Sequence, residues 1–343
     1  MMKFPALPLA LLASSLFPLF AASAQVDAGS YHVVQTFHPG GLGGWDYLTV
    51  DAESHRLFVP RGTHTQVLDE ATGAVIADIP GQKRNHGVAI VARAGRGFIS
   101  DGADGSVVIF DLATYRVLGK IKVAPDADGV IYDPASDKVL VVCGDAGVMV
   151  PISPGVDPQH GCADPQIDLG GNPESFTVDG RGKAYIDLVN KGAVDVVDTK
   201  TMKVIAKWPT APGITPVGLA IDSERGRLFV GCRKPQKLIV MSTADGKILA
   251  DLPIGAGVDA GGFAGDAFAS CRDGTLAVVR ESATGRFEVV QTVATAPGAR
   301  TLGVDSSTRT VYLPTADLVQ VAGAKRPVPK PGTFRIIVVS ARE

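Results

Sequence analysis

The chain has 343 residues, of which 45% are hydrophobic and 20% charged, and its formal net charge is −2. A chain of this length buries a large core without covalent staples. A near-neutral balance with no basic patch gives nucleic acid no electrostatic footing, so no nucleic-acid partner is expected.

The first segment, Met1 to Ala24, opens with Lys3, runs apolar through Leu19 and Phe20, and ends on Ala22-Ser23-Ala24 before Gln25. That order of charge, apolar stretch and small residues reads as a cleaved secretory signal. A membrane anchor fits less well, because Pro5, Pro8 and Pro18 interrupt the run and no stop-transfer flank follows. The expectation is a periplasmic or secreted protein without a membrane span after cleavage, a monomer, with residues 25–343 as one domain.

From there a short apolar phrase ending in a turn recurs. Taking Leu48, Val88, Val130, Phe176, Leu219, Gly261 and Leu302 as equivalent, the intervals are 40, 42, 46, 43, 42 and 41 residues. A period in the low forties with strand-like content predicts an all-β fold, a seven-bladed β-propeller with one four-stranded blade per repeat. The second repeat shows all four strands, Val88 to Val91, Gly97 to Ser100, Val107 to Phe110 and Val117 to Val123, with Gly- and Asp-rich turns between them. The turn between third and fourth strands recurs as Asp69-Glu70-Ala71-Thr72, Asp111-Leu112-Ala113-Thr114 and Asp198-Thr199-Lys200-Thr201. Asp and Thr there can bond the backbone of their own turn, so they are structural.

The last repeat, after Leu302, supplies only three strands, ending on Phe334 to Val339. The missing one is predicted at the other end of the chain, where Tyr31 to Phe37 (YHVVQTF) resembles Phe287 to Val293 (FEVVQTV), the outer strand of blade six. Closure by strand 31–37 satisfies an open sheet edge and locks the ring. The proline-rich stretch Ala322 to Gly332 then reads as a surface loop inside blade seven.

The recurring G-x-A-I-D, R-L-F-V and V-x-V-x-D-x-x-T-x-x-V-x-x-I pattern, from about Tyr31 onward, resembles the YVTN-repeat or YncE-like seven-bladed propellers of exported bacterial proteins. The second strand departs from that family's Tyr-Val-Thr-Asn, reading Leu57-Phe58-Val59-Pro60, Gly97-Phe98-Ile99-Ser100 or Leu228-Phe229-Val230-Gly231. The resemblance implies fold and compartment more than it implies a reaction.

Residues two positions before each anchor are expected to encircle one mouth of the central channel: Asp46, His86, Asp128, Glu174, Val217, Asp259 and Arg300. Six of these seven are ionisable, and such a set repels, pairs or binds something. Three positions after the anchor, Asp51, Asp133, Asp179, Asp222 and Asp305 read as turn aspartates. Loops on the mouth side add Arg61 and His64 of blade one, Arg84 before His86, Arg233 of blade five and Arg272 of blade six, with Trp45 before Asp46. The expected site is a funnel with a cationic rim, a more acidic throat and Trp45 as a stacking wall, suited to a small anionic or polyhydroxylated ligand.

Asp46, His86 and Asp128 could together hold a divalent cation such as Ca, Mg, Mn or Zn. They could equally supply a general base and its orienting acid. Two functions follow: an exported propeller that binds a small ligand, a metal or a partner at its charged mouth, or a propeller enzyme, a lactonase-like hydrolase or a lyase, with a mouth-bound cation and His86 as base. No Cys-x-x-Cys-His occurs, so no covalent c-type haem is expected. Asp69-Glu70-Ala71-Thr72-Gly73 and Thr243-Ala244-Asp245-Gly246-Lys247 resemble the docking turns of quinoprotein propellers but lack the tryptophan that completes that motif, so PQQ is not expected either. Cys143, Cys232 and Cys271 each end the second strand of a blade, ~10 Å apart even in neighbouring blades. A disulfide reaches only ~7 Å between Cα atoms, so the four cysteines read as unpaired thiols.

Overall fold

Alternate residues of a strand point to opposite faces, so a strand buried on both sides is apolar throughout and feeds two different cores. In blade one, Leu57 and Val59 face blade seven, whereas Phe58 and Val67 face blade two. In blade two, Val107 and Ile109 pack toward blade three while Val108 and Phe110 pack toward blade one. The computed structural model repeats this arrangement seven times. Among the described residues the hydrophobic side chains form seven clusters, one in each interface between adjacent blades.

The structure describes residues 1–2, 30–321, 323 and 327–341, so the expected export segment 1–24 lies outside the described residues apart from its first two. The blades are seven four-stranded antiparallel sheets. Blades one to six take consecutive strands, from Thr49–Asp51 to Val75–Pro80 in the first and from Val258–Phe263 to Arg286–Ala294 in the sixth. Among the described residues there is no α-helix, only a short 3-10 turn at Ala92–Ala94, and no helix long and apolar enough to cross a membrane.

Blade seven closes the ring as the repeat count requires. Its sheet order runs from Gly303–Asp305 through Thr310–Thr315 and Arg335–Ser340 to the N-terminal strand His32–Phe37. His32 pairs with Ser340 and Phe37 with Ile336. Tyr31 and Phe37 anchor the two ends of this strand, at 2% and 3% exposure. Tyr31 packs edge-on against Phe268 at 5.1 Å, and Phe37 stacks on Tyr312 at 6.4 Å. Between Thr315 and Arg335 a two-stranded ribbon, Leu318–Val319 with Val328–Pro329, occupies what the sequence suggests is an irregular loop.

Aromatic rings from the preceding blade cover the glycines of two of the turns between third and fourth strands. The Phe37 ring of blade seven lies over Gly73 of blade one, and the Trp208 ring of blade four over Gly246 of blade five. A Cβ on either glycine would come within 2.2 Å of the ring. The outer strand of each donor blade therefore seats on a turn that has to be glycine.

Turn aspartates behave as their spacing predicts. Asp69, Asp111 and Asp198 each accept hydrogen bonds from the backbone N–H and the hydroxyl of the Thr three residues on. At the same face, away from the mouth, Asp133, Asp222 and Asp305 of the turns between first and second strands likewise bond their own turns. The 46-residue interval after Val130 reflects an excursion between the third and fourth strands of blade three. Residues 153–166 cross to blade two, where the Pro158 carbonyl accepts from the Lys120 N–H at 3.1 Å and the Pro154 and Val156 carbonyls accept from Arg96. All four cysteines are unpaired, three of them buried and Cys162 exposed. Burial pushes the thiols of Cys143, Cys232 and Cys271 up to about 12.

Candidate functional site

The mouth residues project because the innermost strands are bulged where they sit. In blades two to six the register gains one residue between Asn85 and Val88, Ala127 and Val130, Pro173 and Phe176, Pro216 and Gly218, and Val258 and Ala260. These intervals contain His86, Asp128, Glu174, Val217 and Asp259. A bulge interrupts period-two alternation and re-aims a side chain. Asp46 and Arg300 stand just before the innermost strands of blades one and seven.

Side chains of successive blades then meet around the opening. His86 Nδ1 donates to Asp46 Oδ2 at 2.8 Å and lies 3.5 Å from Asp128 Oδ1. Arg233 Nη2 is 3.6 Å from Glu174 Oε1 and also pairs with Asp259. Arg300 pairs with Asp259 and approaches Asp46 Oδ1 at 3.9 Å. Charges of opposite sign thus follow one another around the mouth, except between Asp128 and Glu174, two acids in succession, where the charge of Glu174 makes Asp128 harder to ionise. Val217 takes no part. It is fully buried between blades five and six, and Arg233, from the end of the second strand of blade five, reaches the mouth instead.

The mouth is electrically divided. On one side Arg233, Arg272 and Arg300 gather on Asp259, whose side chain is 2% exposed. On the other side stand Asp46, Asp128 and Glu174, with the buried Asp187 behind Glu174. Asp187 accepts the backbone N–H groups of Glu174 and Ser175 and the Ser175 hydroxyl. Burial pushes its carboxyl up to about 7 in spite of those hydrogen bonds. For His86, burial works against the proton, but the bond to Asp46 and the charges of Asp128 and Asp46 outweigh it and raise the imidazole to about 9. Asp128 is pushed up by burial and by its acidic neighbours. His86 and Asp128 both move toward binding a proton; the imidazolium hydrogen-bonded to Asp46 is the arrangement the 2.8 Å contact favours.

Tyr47 is the mouth residue that the column of anchors misses. Its hydroxyl, from blade one, lies 3.5 Å from the Asp259 carbonyl of blade six. Burial, then Asp128, Glu174, Asp46 and Asp187, push its phenol well up. The signal is in the sequence one position before each anchor, where the other blades carry Gly87, Gly129, Ser175, Gly218, Ala260 and Thr301. A single large side chain in a column of small ones reaches across the channel.

Two cavities flank this ring. Below Tyr47 the channel itself forms an apolar space of about 600 Å³, lined by residues such as Val88, Val130, Phe176, Leu219 and Leu302. The smaller space, about 500 Å³, is bounded by Glu174, Arg233, Gly257, Asp259, Arg272 and Arg300. Three arginines and two carboxylates of the mouth converge there, whereas Asp46, His86 and Asp128 do not line it. Gly257, at φ +73°, lets Arg272 lie close, since a Cβ there would come within 2.8 Å of the Arg272 Cβ.

Several expected funnel residues lie elsewhere. Arg61 is 1% exposed. Its guanidinium donates to the Gly44 and Gly40 carbonyls at 2.9 and 2.8 Å and to Gln66 at 2.6 Å, and lies 3.6 Å from the Phe334 ring centre. It fastens the segment before blade one to the ring and is not a ligand clamp; burial brings it down to about 10. His64 turns to the periphery, 3.5 Å from Asp78 on the outer strand, and burial lowers its pKa. The Trp45 indole packs on Phe334 at 6.1 Å, so it supplies core packing where an open stacking wall is expected; its carbonyl accepts from Arg300 at 3.4 Å. Arg84 stays on the rim, paired with Asp126. Asp46, His86 and Asp128 do come together, with His86 hydrogen-bonded to Asp46 and ion-paired at longer range with Asp128, and among the described residues no three His, Cys, Asp or Glu side chains are grouped as a metal cage requires.

Fold and site together define a seven-bladed β-propeller with a charge-divided channel mouth. No protein-family model and no curated protein sequence matches the chain. Among solved structures it is similar to hydrazine synthase of Kuenenia stuttgartiensis, at 15% identity and a TM-score of 0.68, over 79% of this chain and 92% of that one. At that identity the likeness shows the propeller fold and nothing of the activity.

Proposed function

We propose that this is an exported, YncE-like propeller that binds a small anionic molecule at the mouth of its channel. The observation that carries the reading is the gathering of Arg233, Arg272 and Arg300 on one buried carboxylate, Asp259, at the wall of a 500 Å³ cavity. Guanidinium groups present planar forks that match carboxylate and phosphate oxygens. Asp259 holds the three forks in place at the cavity wall. Export rests on the Met1 to Ala24 pattern of charge, apolar run and small residues.

The enzymatic alternative requires His86 as a base. An imidazole raised to about 9 is already protonated at neutral pH and donates where a base must accept. Among the described residues no three His, Cys, Asp or Glu side chains group as a metal cage requires, and the arginine cluster on Asp259 makes binding the better-supported activity.

The test is a melting-shift screen of the mature protein against mono-, di- and tricarboxylates and inorganic phosphate. A ligand at a hundred times its Kd stabilises by about 2.7 kcal/mol. Arg300→Gln and Arg233→Gln are expected to abolish the shift. A shift that survives in both variants, or no shift with any of these anions at millimolar concentration, overturns the proposal.

A further inference from the structure

We infer that the molecule bound at the mouth is a compact zwitterion, an α-amino acid or an equally small molecule that carries an ammonium group beside its carboxylate. This rests on the anion-binding reading above and adds a second contact of opposite sign.

The alternation of charge around the opening fails at one place, between Asp128 of blade three and Glu174 of blade four. Arg233 serves Glu174 from one side only, at 3.6 Å. His86, whose Nδ1 is committed to Asp46 at 2.8 Å, approaches Asp128 no nearer than 3.5 Å. Asp128 Oδ1 is buried and accepts no hydrogen bond. A buried carboxylate oxygen without a donor is costly. Burial and the neighbouring acids push Asp128 toward its neutral form, although His86 pulls the other way. The Tyr47 hydroxyl adds a single polar group to this arc, and its phenol is itself pushed up by Asp128 and Glu174.

A positive group from the ligand supplies what this arc lacks. Glu174 lines the same cavity as Arg233, Arg272 and Arg300, so a carboxylate on the arginines and an ammonium on Glu174, within the field of the neighbouring Asp128, can belong to one small molecule. A plain dicarboxylate satisfies the arginines but sets its second charge against the acidic arc. A polyamine does the reverse. A zwitterion complements both halves, and juxtaposed like charges disfavour the other two.

Titration calorimetry with the proteinogenic amino acids, each paired with its deaminated carboxylic acid, tests the inference. At least one amino acid is expected to bind about tenfold or more tightly than its deaminated partner, a difference typical of one charged hydrogen bond. Asp128→Asn and the more exposed Glu174→Gln are expected to erase that preference, whereas Arg300→Gln weakens both probes. Glu174→Gln keeps the test informative should Asp128→Asn fold poorly. If the deaminated acids bind as well as the amino acids and Glu174→Gln changes neither, the zwitterion inference falls while anion binding stands. If no probe of either kind binds, both fall.

Discussion

The proton on His86 has a consequence for stability that can be worked out from its surroundings. An imidazole at about 9 in the folded protein, against 6.5 unfolded, gains about 3 kcal/mol from its environment, at roughly 1.4 kcal/mol per pKa unit. Because the folded value is the higher one, that stabilisation is fully present below about pH 6.5 and disappears as the pH rises through about 9. Other groups titrate in the same interval; Asp187, up to about 7, also favours the folded state more at lower pH. The comparison that isolates His86 is therefore between the protein and His86→Gln, each unfolded in urea at pH 6 and at pH 9.5. The unsubstituted protein is expected to lose about 3 kcal/mol more than the variant over that range, so that the two converge on the alkaline side. Parallel pH dependences would show that the imidazole is not held as a cation between Asp46 and Asp128. The charge map of the mouth would then have to be redrawn.

Phe37→Ala removes a ring that is 3% exposed and seated between Tyr312 and Gly73. It should cost about 3–5 kcal/mol in urea unfolding, and deletion of residues 31–37 should leave a chain that fails to form a closed ring, seen as loss of the cooperative transition. Gly218→Ala puts a Cβ 2.9 Å from the Ala260 carbonyl carbon of the next blade. That contact is backbone and cannot swing aside, so a loss of about 1–3 kcal/mol is expected in the same assay. Arg61→Ala leaves the Gly40 and Gly44 carbonyls and Gln66 without their donor and should destabilise by about 2 kcal/mol or more. It should leave anion affinity unchanged in calorimetry, because its guanidinium lies outside the mouth.

Most of the fold was legible because a propeller is written in periods. Residues such as Leu57, Phe58 and Val59 alternate between two interfaces by strand geometry alone, so the repeat of apolar runs defines the blades. The closing strand was equally readable, since Tyr31 to Phe37 keeps the pattern of an outer strand although it lies some 300 residues from its sheet partner, as in the pairing of His32 with Ser340. What the repeat could not show was contact between blades. Spacing within one repeat does not reveal that Phe37 and Trp208 arrive on Gly73 and Gly246 from the preceding blade. The ribbon of Leu318–Val319 with Val328–Pro329 was hidden by prolines that mark a loop when read locally.

The site was legible where one backbone device repeats and illegible where side-chain reach decides. The bulge recurs in five successive innermost strands, so a column through His86, Asp128, Glu174 and Asp259 finds real neighbours. At blade five the same column yields Val217, buried in an interface, and the charge comes from Arg233 on a different strand. Arg61 and Arg233 look alike in sequence, each at the far end of the second strand of its blade, and their fates differ because of what lies beside them. Arg61 meets the carbonyls of the Gly40 to Gly44 segment and the face of Phe334, which consume its donors and bury it. Arg233 meets carboxylates at the channel, which hold it at the opening. The Arg61 donors end on carbonyls and Gln66 beneath a ring, which makes it a fastener, whereas Arg233 spends Nε on the Val258 carbonyl and holds its terminal nitrogens among acids at the cavity wall.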